Sequence, residues 1–208
     1  MQERIQTAPP TCTLCTLAEG RTQVVYPDVF TNTDDPFTVM VVGEAPGANE
    51  DKKGVPFVGA SGKILREELL NLPGTVVITN VVKCRPPDNR DPHVAEKKAC
   101  RPFLDEEVKH YNPDLILLVG RHAASSFLGK QVGSFTQASG QLFEGRLMPL
   151  IHPAATMYNR KKNRPVWDQS WEAVWTIVND KVGKERGTIP LSSNDSDRQK
   201  KLDNWLKP

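Results

Sequence analysis

Four short apolar or β-branched runs constrain this chain more than any other feature: Phe37 to Gly43, Thr75 to Val82, Leu115 to Gly120 and Leu147 to Ile151. Each is followed by a turn-like or helical stretch. Strands alternating with helices imply an α/β fold, a mostly parallel sheet covered on both faces and joined by right-handed crossovers. Between the first two runs, Leu65, Leu69 and Leu72 fall at i, i+4 and i+7, with Arg66, Glu67 and Glu68 facing elsewhere, which reads as an amphipathic crossover helix capped by Ser61. His93 to His110 also reads as helix, but Pro102 should kink or divide it. A last helix is expected from about Pro165 to Lys181, where Trp167, Trp171 and Trp175 lie one turn apart as a core stripe.

A chain of 208 residues is long enough for one well-cored domain, expected over residues 1–182. Residues 183–208 are polar, offer little to bury, and are expected to form a flexible tail. With 27 basic and 25 acidic side chains the net charge is +2, so any attraction to nucleic acid must be local. No apolar run approaches the roughly 20 residues that span a bilayer, and no signal-peptide core follows Met1. The chain therefore reads as cytoplasmic, without a membrane partner, and as a monomer. In a reducing compartment its four cysteines read as metal ligands. Cys12 and Cys15 form a C-x2-C pair, while Cys84 and Cys100 stand far along the chain, so only a folded domain can gather them. Four thiolates suit a zinc ion or an iron-sulfur cubane, and spacing alone does not choose.

In an open α/β sheet the crevice lies beyond the carboxyl ends of the strands. The first run ends in Gly43-Glu44-Ala45-Pro46-Gly47, with Glu50, Asp51 and Pro56-Phe57-Val58-Gly59 beyond; the second ends at Thr79-Asn80, the last at His152-Pro153-Ala154. Three loops at one sheet edge would converge on one pocket holding carboxylates, an amide, an imidazole and an aromatic ring. Neither a Walker A sequence nor a G-x-G-x-x-G fingerprint is present.

These four segments, with Thr79-Asn80-Val81-Val82-Lys83-Cys84-Arg85-Pro86-Pro87 as the third, together resemble the family 4 uracil-DNA glycosylases over about residues 12 to 178. The resemblance implies a three-layer α/β/α fold around a four-stranded parallel sheet, uracil removal without an AP-lyase step, and a 4Fe-4S cluster on Cys12, Cys15, Cys84 and Cys100. It implies that Phe57 stacks on flipped uracil beside Gly43 and Ala45, that Asn80 reads the Watson-Crick edge, and that His152 serves the carbonyl next to the scissile bond. A related glycosylase family has aspartate where this chain has Ala45, so the attacking water needs another group: Glu50 is favoured, Glu44 the alternative. After His152 comes the expected basic loop, in which Arg160, Lys161, Lys162 and Arg164 would meet phosphates of single- or double-stranded DNA while Met157 or Tyr158 wedges the stack. Two rivals stand beside this reading. One is a relative that traps abasic sugar covalently and has glutamine at the Glu44 position; the other is a non-catalytic iron-sulfur damage sensor. Protein partners such as a sliding clamp are unreadable.

Overall fold

The structure is a computed structural model that describes residues 3–129 and 133–186. In chain order its elements are α1 (Leu17–Gly20), β1 (Asp28–Thr31), β2 (Thr38–Gly43), α2 (Ala48–Lys53), α3 (Ala60–Leu69), β3 (Thr75–Asn80), a 3-10 turn (Pro87–Asn89), α4 (Val94–Tyr111), β4 (Leu115–Val119), α5 (Arg121–Leu128), α6 (Phe135–Ala138), β5 (Leu147–Leu150), α7 (Ala154–Tyr158) and α8 (Arg160–Arg186). The sheet order is β1-β3-β2-β4-β5. The four expected strands are parallel, and an unexpected fifth, β1, pairs antiparallel with β3 at the edge.

Every residue of β2, β3, β4 and β5 is buried, as strands covered on both faces require. Alternate side chains divide between two cores. Val39, Val41, Ile78, Leu115, Leu117 and Met148 pack with Leu65, Leu69 and Leu72, and with Trp167 and Trp171 of α8. Met40, Val42, Val77, Ile116 and Leu118 face Leu104, Tyr111, Ala123 and Leu128 of α4 and α5. The tryptophan stripe is core, with Trp175 partly buried at its margin.

Several local expectations are corrected. Helix α4 runs unbroken through Pro102. Pro102 and Lys98, whose carbonyl loses its partner, are both exposed, so water can satisfy that group while Cys100, Leu104 and Glu107 hold the other face to the sheet. Gly59, not Ser61, is the cap residue of α3. Arg66, expected on the outer face, is fully buried. The basic segment is the first turns of α8 rather than a loop, with Pro165 inside the helix. Of the expected tail, residues 187–208 lie outside the described residues.

Candidate active site and cysteine cluster

Register places the first two functional residues side by side, because Gly43 at the end of β2 pairs with Asn80 at the end of β3. The ladder continues past both strands, with Val81 N–H donating to the Gly43 carbonyl at 2.8 Å. His152 follows β5, whose carboxyl end lies along the same edge. A cavity of about 280 Å³ opens there, lined by Glu44, Ala45, Pro46, Gly47, Glu50, Phe57, Ser61, Asn80 and His152 and closed on its far rim by Pro86 and Asn89–Asp91.

Gly43 is obligatory in this arrangement for a spatial reason. A Cβ there would lie 2.4 Å from Asn80 Oδ1 and 2.5 Å from Phe57 Cζ. Phe57 is 8% exposed and holds a left-handed backbone (φ +54°), a strained state for a bulky residue. Its ring centroid lies 6.2 Å from that of His152, with 28° between the planes.

The two carboxylates differ sharply. Glu50 accepts the Gly47 amide on Oε2 at 3.1 Å and those of Val58 and Gly59 on Oε1 at 2.8 Å each. Three backbone donors thus tie it into the loop that carries Phe57. Glu44 Oε1 is buried without a hydrogen-bond partner. Burial pushes the Glu44 carboxyl above its ordinary 4.5, against the nearby His122, which pulls it down. His122 Nδ1 stands 3.8 Å from Glu44 Oε1, and its Nε2 lies 3.0 Å from Asp91 Oδ2.

His152 Nδ1 accepts the Ala154 amide at 3.2 Å, which leaves the ring proton on Nε2. Burial holds its pKa below 6.5 despite the opposing influence of Glu50, so the ring is a neutral donor at neutral pH.

Behind Asn80 lies a buried ionic knot. Lys83 Nζ donates to Glu107 Oε2 at 2.6 Å, to Thr79 Oγ1 at 2.7 Å and to the Asn80 carbonyl at 2.7 Å. Just past it, Cys12, Cys15, Cys84 and Cys100 line one small apolar pocket with Arg21 and Phe103. All four are free, and the Lys83 amide and the Arg21 guanidinium each reach a sulfur at 3.4 Å, on Cys100 and Cys84 respectively. Desolvation raises the Cys84 thiol and pushes Cys100 up to about 11. A metal centre supplies the positive charge that converts buried thiols to thiolate ligands. Among the described residues, no three of these sulfurs gather within 4.8 Å. Four soft thiolates suit either a tetrahedral zinc or an iron-sulfur cubane.

Sequence reasoning missed the far rim. Arg90 makes a two-pronged pair with Glu96, at 2.6 Å and 2.9 Å, which holds the Glu96 carboxyl at about 2 and fixes the rim to α4. Asn89-Arg90-Asp91 follows the Cys84-Arg85-Pro86-Pro87 segment after one residue, Asp88, and that nearness was the available signal. His122 carried none. Arg160, Lys161 and Lys162 are exposed at the start of α8, one short helix past His152; Arg164 is also exposed but pairs with Asp168 Oδ1 at 2.7 Å. Met157 and Tyr158 are exposed between them, Tyr158 at 89%. None of these six lines the cavity.

An α/β sheet with this pocket at its carboxyl edge is the arrangement of the uracil DNA glycosylase superfamily, whose family model matches residues 30–175. The type-4 uracil-DNA glycosylase of Sulfurisphaera tokodaii is 39% identical over 171 residues, 76% of each chain. That of Archaeoglobus fulgidus is 33% identical over 86% of this chain and 92% of its own, and that of Thermotoga maritima 40% identical over 72% and 79%. This chain belongs to the type-4 uracil-DNA glycosylases of that superfamily. No helix among the described residues is long and apolar enough to cross a membrane.

Proposed function

We propose that this chain excises uracil from DNA, flipping the base into the cavity and hydrolysing its N-glycosidic bond to leave an abasic site. The observation that carries this is the convergence of the Asn80 amide, the Phe57 ring and a neutral His152 on one cavity of about 280 Å³. An oriented carboxamide accepts from uracil N3–H and donates to O4. Cytosine offers the reverse pattern and leaves both groups unpaired, at about 1–3 kcal/mol each. Phe57 stacks on the base, with Gly43 and Ala45 leaving room for it. As the bond to the sugar breaks, the electron pair leaves with uracil, and the His152 Nε2–H steadies the charge on O2.

Glu44 is the better-placed group for the attacking water. Its buried Oε1, which accepts no hydrogen bond and has His122 at 3.8 Å, and its raised pKa suit a carboxylate that orients water and takes its proton, and Ala45 can do neither. Glu50, with three amides on its oxygens, organises the Phe57 loop, and its fixed negative charge also favours the positive charge developing on the sugar.

Arg160, Lys161 and Lys162 are the phosphate contacts, with Arg164 weakened by Asp168. Three cations crowd a helix N-terminus whose own dipole disfavours them, so an external anion improves their setting. Met157 or Tyr158 is the wedge that replaces the flipped base. Cys12, Cys15, Cys84 and Cys100 hold a 4Fe-4S cluster, with zinc the alternative occupant. The cluster supplies a structural clamp that ties the N-terminal arm to the segment behind Asn80. The enzyme acts as a monomer on DNA in the cytoplasm.

The test is uracil release from a labelled oligonucleotide by wild type beside Asn80→Ala, followed by alkali. Strand scission with wild type and its near loss in the variant is the expected result. Intact strands with wild type would refute catalysis, and a protein-DNA adduct that survives boiling in detergent would replace hydrolysis by covalent trapping.

A further inference from the structure

The buried guanidinium of Arg66 lies beside Phe57, and neither recognition nor chemistry as described above uses it. It sits in α3 with no exposed surface. Its Nε donates to the Phe57 carbonyl at 2.9 Å and its Nη2 to the Pro56 carbonyl at 2.7 Å. Nη2 also lies 2.7 Å from Asp28 Oδ2 on β1, the edge strand.

Phe57 needs such restraint. A left-handed φ of +54° costs a bulky residue free energy, and nothing in the Pro56-Phe57-Val58 sequence itself prefers it. Glu50 grips the amides that follow Phe57, and Arg66 grips the carbonyls of Phe57 and the residue before it. Gly62 completes the clamp, since a Cβ there would lie 2.2 Å from the Phe57 carbonyl oxygen.

We propose that Arg66, anchored by Asp28, is a positioning residue that fixes the Phe57 ring for base stacking through a fork onto the Pro56 and Phe57 carbonyls. This rests on the uracil-excision reading above. A planar guanidinium serves two carbonyls and a carboxylate at once from one rigid frame, which an ammonium cannot do. The device also gives β1 a role at the site: the edge strand carries the anion that keeps a fully buried charge in place.

The experiment is a double-mutant cycle on the full chain. Single-turnover uracil release and inhibition by free uracil are measured for wild type, Arg66→Met, Phe57→Ala and the double variant, with melting temperatures for all four. Arg66→Met is expected to lose about 10- to 100-fold in cleavage, the scale of a misplacement near 1 Å, and to weaken uracil inhibition. In the Phe57→Ala background the same change should cost less than about 2-fold, because the ring it positions is already gone. Equal losses in both backgrounds overturn the proposal, since a residue needed only for general stability acts in either. Arg66→Lys covers the case in which Arg66→Met does not fold. It keeps the charge beside Asp28 but lacks the fork, so it should still lose activity and uracil inhibition; full activity in Arg66→Lys also overturns the proposal. Wild type that releases no uracil refutes the functional reading itself, an outcome separate from either of these.

Discussion

Replacing Gly43 by alanine should disable the pocket while leaving the fold standing. The residue lies in β2 with no positive φ, so the backbone accepts a side chain, and alanine regains about 0.5–1 kcal/mol of the entropy that glycine costs in a strand. Space is the obstacle. The new Cβ would stand 2.4 Å from Asn80 Oδ1 and 2.5–2.6 Å from two atoms of the Phe57 ring, and ordinary contact begins at 3.4 Å. Both side chains must retreat by about 1 Å, and a shift of that size in a positioned group can cost about 100-fold in rate. Overpacking of this kind costs about 1–3 kcal/mol, partly offset by the strand term. The melting temperature should therefore fall by no more than about 10 °C at roughly 2–4 °C per kcal/mol. Single-turnover release from a uracil-containing duplex, paired with a thermal melt, measures both quantities. A folded Gly43→Ala protein that cleaves within about 2-fold of wild type would show that Asn80 and Phe57 need not stand where they do, and the recognition argument fails with them.

Glu44→Gln should slow cleavage with little change in melting temperature, whereas Glu50→Gln sets an amide donor against backbone donors and should cost about 1–3 kcal/mol of stability, read by denaturant melts. Burial raises the Glu44 pKa above 4.5, so its ionised form is lost as pH falls through that raised value; the acid limb of kcat/KM in wild type should flatten in Glu44→Gln, and an unchanged limb assigns it elsewhere. Cys100→Ala should lose bound iron by metal analysis and cost about 4 kcal/mol or more, as loss of a metal centre does. Neutralising Arg160, Lys161 and Lys162 together should reduce the slope of log binding constant against log salt by about 2.7, at about 0.9 per phosphate contact, and an unchanged slope removes them from the interface.

The four parallel strands alternating with helices, the three loops that line one cavity and the gathering of four distant cysteines were all readable from residues in a row. Apolar runs, helical spacing and turn-forming glycines and prolines are local signals, because backbone sterics and the burial period act over a few residues. Tertiary structure decided what depends on neighbours far along the chain. The edge strand β1 is only half-buried and exists through pairing with β3, where Thr31 meets Thr75. Pro102 stays within α4 because its outward face leaves the orphaned carbonyl to water. Glu50 and Glu44 are alike as letters, yet three amides surround one and none the other. Arg66 reads as a solvent-facing helix residue, and its burial became affordable only when folding brought Asp28 and two loop carbonyls to it. A charge is worth burying only beside its partners, and which partners arrive is a property of the folded chain alone.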